Sequence, residues 1–189
     1  MSRFLHLVAI WLCINACEQS GYSSRLKSEY NSGIRNDSLF LGFYFGKTRK
    51  EFFTHGWEVN KKGLIMQGSK NQTVSYVMHS PDGSKDIEMM FFPQFDNQLV
   101  IKNMLINFQY KGWAPWNRGH FSDSLLVAVK DTVMKWYGGN AFESTVTDNN
   151  VEVWYKVDGN RQISLAIQDE REVSGIIKDL FHADNDPFK

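Results

Sequence analysis

The chain has few of the residues on which many catalytic and metal sites depend. Its 189 residues include two cysteines, Cys13 and Cys17, and both lie within the first seventeen positions. The remainder of the sequence therefore has no thiol for a disulfide, a thiolate metal site, a redox pair or a catalytic cysteine. A domain without disulfides depends on its own core, and a chain of this length can bury a core of sufficient size.

Charge of one sign and familiar catalytic motifs are also missing. The 21 basic and 21 acidic residues give a formal net charge of zero, whereas a nucleic-acid-binding domain would carry a basic face or stripe. The sequence contains no Gly-x-Ser-x-Gly, His-Glu-x-x-His, Walker or Gly-x-Gly-x-x-Gly motif. We therefore expect no nucleic-acid partner and no enzymatic activity.

Histidines with the spacing of metal ligands are absent as well. The histidines that follow Cys17 are isolated in sequence: His55, His79, His120 and His182. None lies three or four residues from another, so we expect no metal ion and no cofactor. For His55, which neighbours aromatic residues, a position at the edge of the core is the better interpretation.

Long hydrophobic runs are lacking too. The apolar segment at 4–14 is broken by His6 and falls short of the roughly 20 residues that span a bilayer. With Arg3 before it and Ile-Asn-Ala-Cys after it, the segment is typical of a secretory signal. Those last four residues resemble a bacterial lipobox. We expect residues 1–16 to be a lipoprotein signal peptide and Cys17 to carry a lipid such as palmitate, which would anchor the protein to a membrane of the cell envelope.

Two other outcomes stay open for this segment. Asn15 departs from the small or aliphatic residue usual at its lipobox position, and Cys13 is a competing cysteine. Cleavage by an ordinary signal peptidase would release a soluble secreted protein, and a buried N-terminal helix would leave the segment in place. Residues 17–37 favour anchoring, because they are polar and rich in Ser, Gly and Asn, as expected of a tether.

The rest of the chain is predicted to alternate helices with groups of short strands. Thr48 and Glu51 form a capping-box pattern, and apolar residues at helical spacing continue as far as Gly63. We therefore expect a helix from about Arg49 to Lys62. Alternating patterns and turn residues then predict three or four strands, at 64–67, 73–78, 86–92 and 98–109. A phase change in the last of these predicts a bulge near Asn103.

The second half repeats this order. We expect a helix that is capped by Ser122 or Asp123 and ends at Gly138-Gly139-Asn140. Three or four strands follow, predicted at 141–146, 151–157, 161–168 and 172–180. The turn sequence Asp-Gly-Asn at 158–160 predicts a hairpin between the middle two strands. The polar turn at 168–171 favours a strand over a helix for the last segment.

This order of elements predicts an α+β fold. Strands that are consecutive and joined by turns pair antiparallel, with a helix on one face. The expected architecture is two tandem helix-plus-antiparallel-sheet units of about three to four strands each, behind a signal peptide and a flexible tether. The first unit would span 38–111, the second 112–182, and a tail would follow at 183–189.

Several segments resemble known families. Gly46-Lys47-Thr48-Arg49-Lys50-Glu51-Phe52, a glycine and capped helix that lead into an antiparallel sheet behind a lipobox, resembles the small SmpA/OmlA-type envelope lipoproteins. The tandem order resembles the two-unit fold of β-lactamase-inhibitor proteins. Four segments also resemble uncharacterised lipoproteins of Bacteroidetes-type bacteria, at 41–46, 114–116, 136–140 and 157–161. These resemblances imply an envelope location and assign no functional residue.

The loop that begins at Trp113 is the segment most suggestive of binding. Tryptophan, tyrosine and arginine are enriched in interface hot spots, which makes Tyr110, Trp113, Trp116 and Arg118 the candidate binding residues. Exposed together, the two tryptophans could stack on a sugar, a peptide or an aromatic group of a partner. The favoured alternative is that both rings fill the junction between the two units.

Carboxylates gather at two predicted turns. The two clusters are Asp82, Asp86 and Glu88, and Asp169, Glu170 and Glu172. A pair of such acids could perform hydrolysis. A solvated turn is the better explanation, because Lys85 and Arg171 are interspersed with them.

A non-enzymatic binding or scaffolding role is the function that the sequence favours. It would act at the cell envelope, with a membrane contact through the N-terminal lipid and an envelope protein as the possible partner. Two alternatives stay open: an inhibitor or a glycan- or peptide-binding module, and a hydrolase with dispersed acidic residues. A small-molecule ligand is not identified.

Overall fold

The structure is a computed structural model that describes residues 21–69 and 73–189. The predicted signal peptide at 1–16 and the lipidation site Cys17 lie outside the described residues, so both stay predictions. Within the described part of the chain, no helix is long and apolar enough to cross a membrane.

Three helices are described. Helix α1 covers residues 21–31, α2 runs over Arg49–Lys61 and α3 over Ser122–Tyr137. The capping box of α2 is confirmed, because the Glu51 amide donates to Thr48 Oγ1 at 3.3 Å and the Thr48 amide donates to Glu51 Oε2 at 2.8 Å. These two bonds satisfy backbone amides that have no partner within the helix.

The predicted cap of α3 is wrong. Its N-cap residue is Phe121, whose side chain accepts no capping hydrogen bond. Ser122 already lies in the helix, and its amide donates to the carbonyl of Glu170 at 3.0 Å. A distant backbone carbonyl thus replaces the local side-chain acceptor that the sequence suggested. The predicted end is confirmed, since Gly138 follows the helix with φ of 58°.

The strands form one antiparallel sheet, so an α+β fold is confirmed. They are β1 Ile65–Gln67, β2 Val74–Met78, β3 Ile87–Phe95, β4 Ile101–Tyr110, β5 Glu143–Val146, β6 Glu152–Asp158, β7 Arg161–Ile167 and β8 Glu172–Asp179. Their spatial order is β1-β2-β3-β4-β8-β7-β6-β5. Each four-strand group is a meander, and the two groups meet where β4 pairs with β8, with Met104 opposite Ile177.

Two finer features of the sheet agree with the sequence. Gln94 pairs with Asn103 whereas Phe95 pairs with Ile101, so Lys102 is the extra residue of a bulge beside the predicted position. The last segment is a strand, and it pairs with β7 as well as with β4. The register thus places β8 at the centre of the sheet.

The main core lies between one face of the sheet and helices α2 and α3. Helix α2 contributes Phe52 and Val59, and the buried face of α3 includes Leu125, Val129 and Val133. Residues 38–46 form a compact turn, and Phe40, Phe43 and Phe45 within it are buried in the same core.

Residues 21–37 do not form the flexible tether that the composition suggested. Helix α1 packs on the opposite face of the sheet, where Tyr22, Leu26 and Tyr30 contact Tyr155, Val157 and Leu180. These three helical residues recur every four positions and therefore share one side of the helix. The polar average composition of residues 17–37 did not indicate this narrow apolar side of the helix.

Candidate functional site

The four binding residues predicted from the loop do not form one surface. Tyr110 is only 2% exposed and stacks on His120, with ring centroids 4.8 Å apart. Trp113 is half-buried, and its ring centroid lies 6.0 Å from that of Phe121. Arg118 is exposed and its guanidinium lies 4.1 Å from the Phe121 ring.

Trp116 differs from its neighbours, because 85% of it is exposed to solvent. A single binding surface made of the predicted residues would require Tyr110 and both tryptophans to be accessible together. Burial of Tyr110 contradicts that arrangement. Of the three aromatic candidates, Trp116 is the one that is largely exposed to solvent.

The predicted acidic clusters are held largely within turns. Asp86 accepts from the Ser80 amide and from His79, and the Ser80 bond is the main reason that its pKa is lowered. Asp169 accepts from the amides at 171 and 172. The register brings Glu88 and Glu172 to either side of Gln109 on one sheet face.

Both of these glutamates are bound by amides. The Gln109 side chain donates to Glu88 at 2.7 Å, and the Asn107 side chain donates to Glu172 at 3.0 Å. Among the described residues there is also no group of three or more His, Cys, Asp and Glu side chains that could hold a metal ion.

A different set of residues converges at the turn between β6 and β7. Gly159 occupies the left-handed region, with φ of 59°, and a Cβ there would collide with the Ile34 carbonyl. Asn160 is fully buried; its amide donates to the Ile34 carbonyl at 3.1 Å, and its side chain accepts from the Asn36 amide at 2.5 Å. The turn is therefore fixed against residues 34–38.

The end of α3 is joined to the same turn by a buried ion pair. The ammonium group of Lys156 binds the Asp158 carboxylate and donates to the Gly138 carbonyl at 2.8 Å. The other oxygen of Asp158 accepts from the Asn140 amide at 2.7 Å. Segments 136–140 and 157–161, which are separate in sequence, thus become one structural unit.

Arg161 projects from this unit without a carboxylate partner among the described residues. It is 5% exposed, and within the described part of the chain its guanidinium donates a single hydrogen bond, to the Ser38 carbonyl at 2.8 Å. Its Nε is buried and has no hydrogen-bond partner among the described protein atoms. Burial is the main influence on its pKa, which it lowers from the ordinary value, although an arginine remains protonated at neutral pH.

Tyr137 completes the environment of this guanidinium. The Arg161 side chain lies 4.0 Å from the Tyr137 ring centroid, which places the charge over the π face. The Tyr137 hydroxyl is buried and has no hydrogen-bond partner among the described protein atoms. Burial raises its pKa, so at neutral pH it is an uncharged hydroxyl that can donate.

These two side chains line a cleft of about 420 Å³. We call it the Arg161 cleft. Its other walls come from Asn36, from residues 38–41, from Tyr76 on β2 and from Trp136 at the end of α3. The volume lies in the range of small-ligand sites. Apart from aromatic and aliphatic groups, the lining contains one guanidinium, the phenols of Tyr137 and Tyr76, and the polar side chains of Asn36 and Ser38. This combination is suited to an organic anion rather than to a metal cation.

Comparison of the chain with family models, with curated proteins and with solved structures found no match. No function is therefore transferred to the chain from a relative.

Sequence reasoning missed Arg161 and Tyr137 as functional candidates. Their segments stood out only through a family resemblance and through turn residues. The local pattern of β6 carried no such signal, because Lys156 and Asp158 alternate with Tyr155 and Val157 as charged residues do on a strand with one solvated face. The structure shows that both faces of this part of β6 are buried, and buried charges need partners.

Proposed function

We propose that this is a non-enzymatic binding protein of the bacterial cell envelope, held at a membrane by a lipid on Cys17, and that the Arg161 cleft binds a small monocarboxylate with an apolar body. The observation that carries this proposal is the buried Arg161 guanidinium, which forms no ion pair with a carboxylate of residues 21–69 and 73–189. The lipoprotein location rests on the signal-like residues 1–17.

The energetics of Arg161 favour an anionic ligand. Removing a charged side chain from water costs several kcal/mol. The Tyr137 ring offsets about 2 kcal/mol of that cost at a desolvated site, and the bond to the Ser38 carbonyl offsets roughly 1.5–3 kcal/mol. Asp158 also attracts the guanidinium electrostatically, but its carboxylate is bound by Lys156 and makes no ion pair with Arg161 among the described residues. A bound carboxylate would form such an ion pair through charge-assisted hydrogen bonds.

The composition of the cleft narrows the ligand class. One guanidinium balances one negative charge, so a monocarboxylate fits better than a dianionic phosphate. The neutral Tyr137 hydroxyl could donate a further hydrogen bond. Phe40, Trp136 and Tyr76 would contact the apolar body of the ligand.

Calorimetric titration of the full chain with octanoate and phenylacetate tests this function. Both acids should bind, and octanamide and phenylacetamide, which lack the charge, should not. Arg161→Met should weaken binding of the acids by more than about tenfold, while Arg118→Met, which removes an exposed arginine, should leave it unchanged. The proposal would be overturned if the Arg161→Met variant bound the acids as tightly as the unmodified chain does, or if the unmodified chain did not bind them.

The location is tested separately. Palmitate labelling in a bacterial host should mark the unmodified chain and not the Cys17→Ser variant. Labelling of that variant would refute lipidation at this cysteine, and it would leave the ligand hypothesis standing.

A protein partner is a second candidate function, favoured by the exposure of Trp116. An indole that is 85% exposed in a loop is available as an interface anchor. Crosslinking in the cell envelope should recover one stoichiometric protein with the unmodified chain, and less of it with Trp116→Ala. Recovery unaffected by the substitution would exclude Trp116 as the contact.

We also infer that the chain is built from two tandem units. Each half consists of a helix followed by a four-strand meander, and the last strands of the halves pair at the centre of the sheet. This order is what two joined copies of one unit would produce. Superposition of the two halves in a crystal structure should align α2–β1–β2–β3–β4 with α3–β5–β6–β7–β8. Strand directions that do not match would refute the inference of two tandem units.

A further inference from the structure

Helix α2 carries an exposed row of aromatic and basic side chains. Arg49, Phe53, Trp57 and Lys61 recur every four residues and therefore lie along one side of the helix. Phe53 is 55% exposed and Trp57 is 62% exposed. We call these four residues the α2 stripe. An exposed aromatic pair on a helix that buries little of itself indicates a surface for contact with something else.

The cations of the stripe lie beside its rings. The Arg49 guanidinium is 5.7 Å from the Phe53 ring centroid, and the Lys61 ammonium is 5.5 Å from that of Trp57. Met66, also exposed, borders the same surface depression as the two aromatic residues. The α2 stripe therefore has an apolar centre and a cation at each end.

The local charge is unlike that of the whole chain. Residues 47–62 contain five basic side chains and two glutamates, although the chain as a whole is neutral. The glutamates are paired within this region, Glu51 with Lys47 and Glu58 with Lys61. The region therefore presents a net positive charge around the exposed aromatic residues.

We propose that the α2 stripe docks onto an anionic bilayer surface, with Phe53 and Trp57 at the boundary of headgroups and acyl chains. Tryptophan is favoured at that boundary, and lysine and arginine beside it extend their charged ends to lipid phosphates. The excess of positive charge is complementary to an anionic leaflet. The biological setting rests on the proposed lipid anchor, which would hold the stripe near a membrane.

Sedimentation with sucrose-loaded vesicles tests this inference. The binding of the full chain carrying Cys17→Ser would be compared between two kinds of vesicle. One kind contains phosphatidylcholine alone, and the other contains phosphatidylcholine with about 30% of anionic phosphatidylglycerol. All variants share residues 1–20, so differences between them report the stripe. Binding should be stronger on the anionic vesicles and should fall as salt rises.

Substitutions separate the contribution of the aromatic rings to vesicle binding from the contribution of the charges. Phe53→Ser with Trp57→Ser should weaken binding to anionic vesicles by more than about tenfold. Arg49→Gln and Lys61→Gln should each weaken it about fivefold. Val127→Ser, which removes an exposed apolar side chain from helix α3, is the matched control and should bind like the parent. Circular dichroism should show all variants folded, because the replaced side chains are exposed.

The outcomes separate this inference from the proposed function. Parent-like vesicle binding by the Phe53→Ser, Trp57→Ser variant, or no preference of the parent for anionic vesicles, would overturn the docking surface. If the Phe53→Ser, Trp57→Ser variant kept its vesicle binding but lost stoichiometric binding to a purified envelope protein, the stripe would be a protein-binding surface. That result would also overturn the proposed docking on a bilayer. The Arg161→Met variant should bind vesicles like the parent, because Arg161 is not part of the α2 stripe. The vesicle result and the carboxylate titration can therefore fail independently.

Discussion

The Arg161 guanidinium lies 4.0 Å from the centroid of the Tyr137 ring. Each residue also retains a buried polar atom, Arg161 Nε and the Tyr137 hydroxyl, that has no hydrogen-bond partner among the described protein atoms. The contact holds the cation in place without neutralising it. This relationship distinguishes the Arg161 cleft from the neighbouring ion pair of Lys156 and Asp158, in which the charges satisfy one another.

Arg161 and Lys156 are predicted to respond differently to removal of their charge. Arg161→Met should change the free energy of unfolding by less than about 1 kcal/mol, or raise it, because no buried carboxylate is left unpaired. Lys156→Met should lower it by about 3–5 kcal/mol, because Asp158 would remain buried without its cation. Urea unfolding of both variants measures the difference. A large loss for Arg161→Met would indicate a structural rather than a binding role.

Gly159 is predicted to tolerate no side chain. In Gly159→Ala the new Cβ would meet the Ile34 carbonyl, in addition to the strain of a positive φ. Gly46→Ala is the matched control, because Gly46 has φ of 73° and no atom within 4 Å of a built Cβ. Gly159→Ala should be less stable than this control by about 1–3 kcal/mol in chemical denaturation. Equal losses would show that residues 34–38 move aside readily.

The two loop tryptophans are predicted to have unequal effects on stability. Trp113→Ala should lower the free energy of unfolding by about 1–3 kcal/mol, since the ring is half-buried against Phe121. Trp116→Ala should change it by less than about 0.5 kcal/mol, because that ring is largely exposed. Thermal unfolding of the two variants distinguishes these cases. Similar losses would contradict the described packing of the loop.

The capping box predicts an acid titration at α2. The Thr48 amide, the Lys47 ammonium and the Thr48 hydroxyl bind the carboxylate of Glu51 and lower its pKa to about 2 from an ordinary 4.5. Ionised Glu51 therefore stabilises the folded chain above pH 4.5, and this contribution is lost as the pH falls through 2. Carboxyl NMR should find the midpoint near 2, and Thr48→Val should raise it. A midpoint near 4.5 would mean that the box is open in solution.

Local patterns predicted most of the elements of the fold. The capping box located α2, and the turn sequence at 158–160 located the hairpin of β6 and β7. The pairing of β4 with β8 was not predictable in this way, because it joins residues such as Met104 and Ile177 that are distant in the chain. Docking of α1 was also missed, since three apolar residues in a polar segment carry little weight in a composition average.

The site was less predictable than the fold. Composition drew attention to Trp113 and Trp116, whose residue types are common in interfaces, but exposure depends on tertiary packing that sequence does not report. Arg161 lies in a segment that reads locally as an ordinary hairpin. Its lack of a carboxylate partner becomes visible only when the contacts of the end of α3 and of residues 34–38 are known.

The central pairing of β4 with β8 has a consequence for the order of folding. Every other pairing in the sheet joins strands adjacent in sequence and can form soon after synthesis, whereas this one must close a long loop. Until β8 is present, the ten-residue strand β4 is an open edge able to pair with other chains. The middle of the finished sheet is thus the last part of it to assemble, and the nascent chain is most prone to aggregation in the interval before β8 has been synthesised.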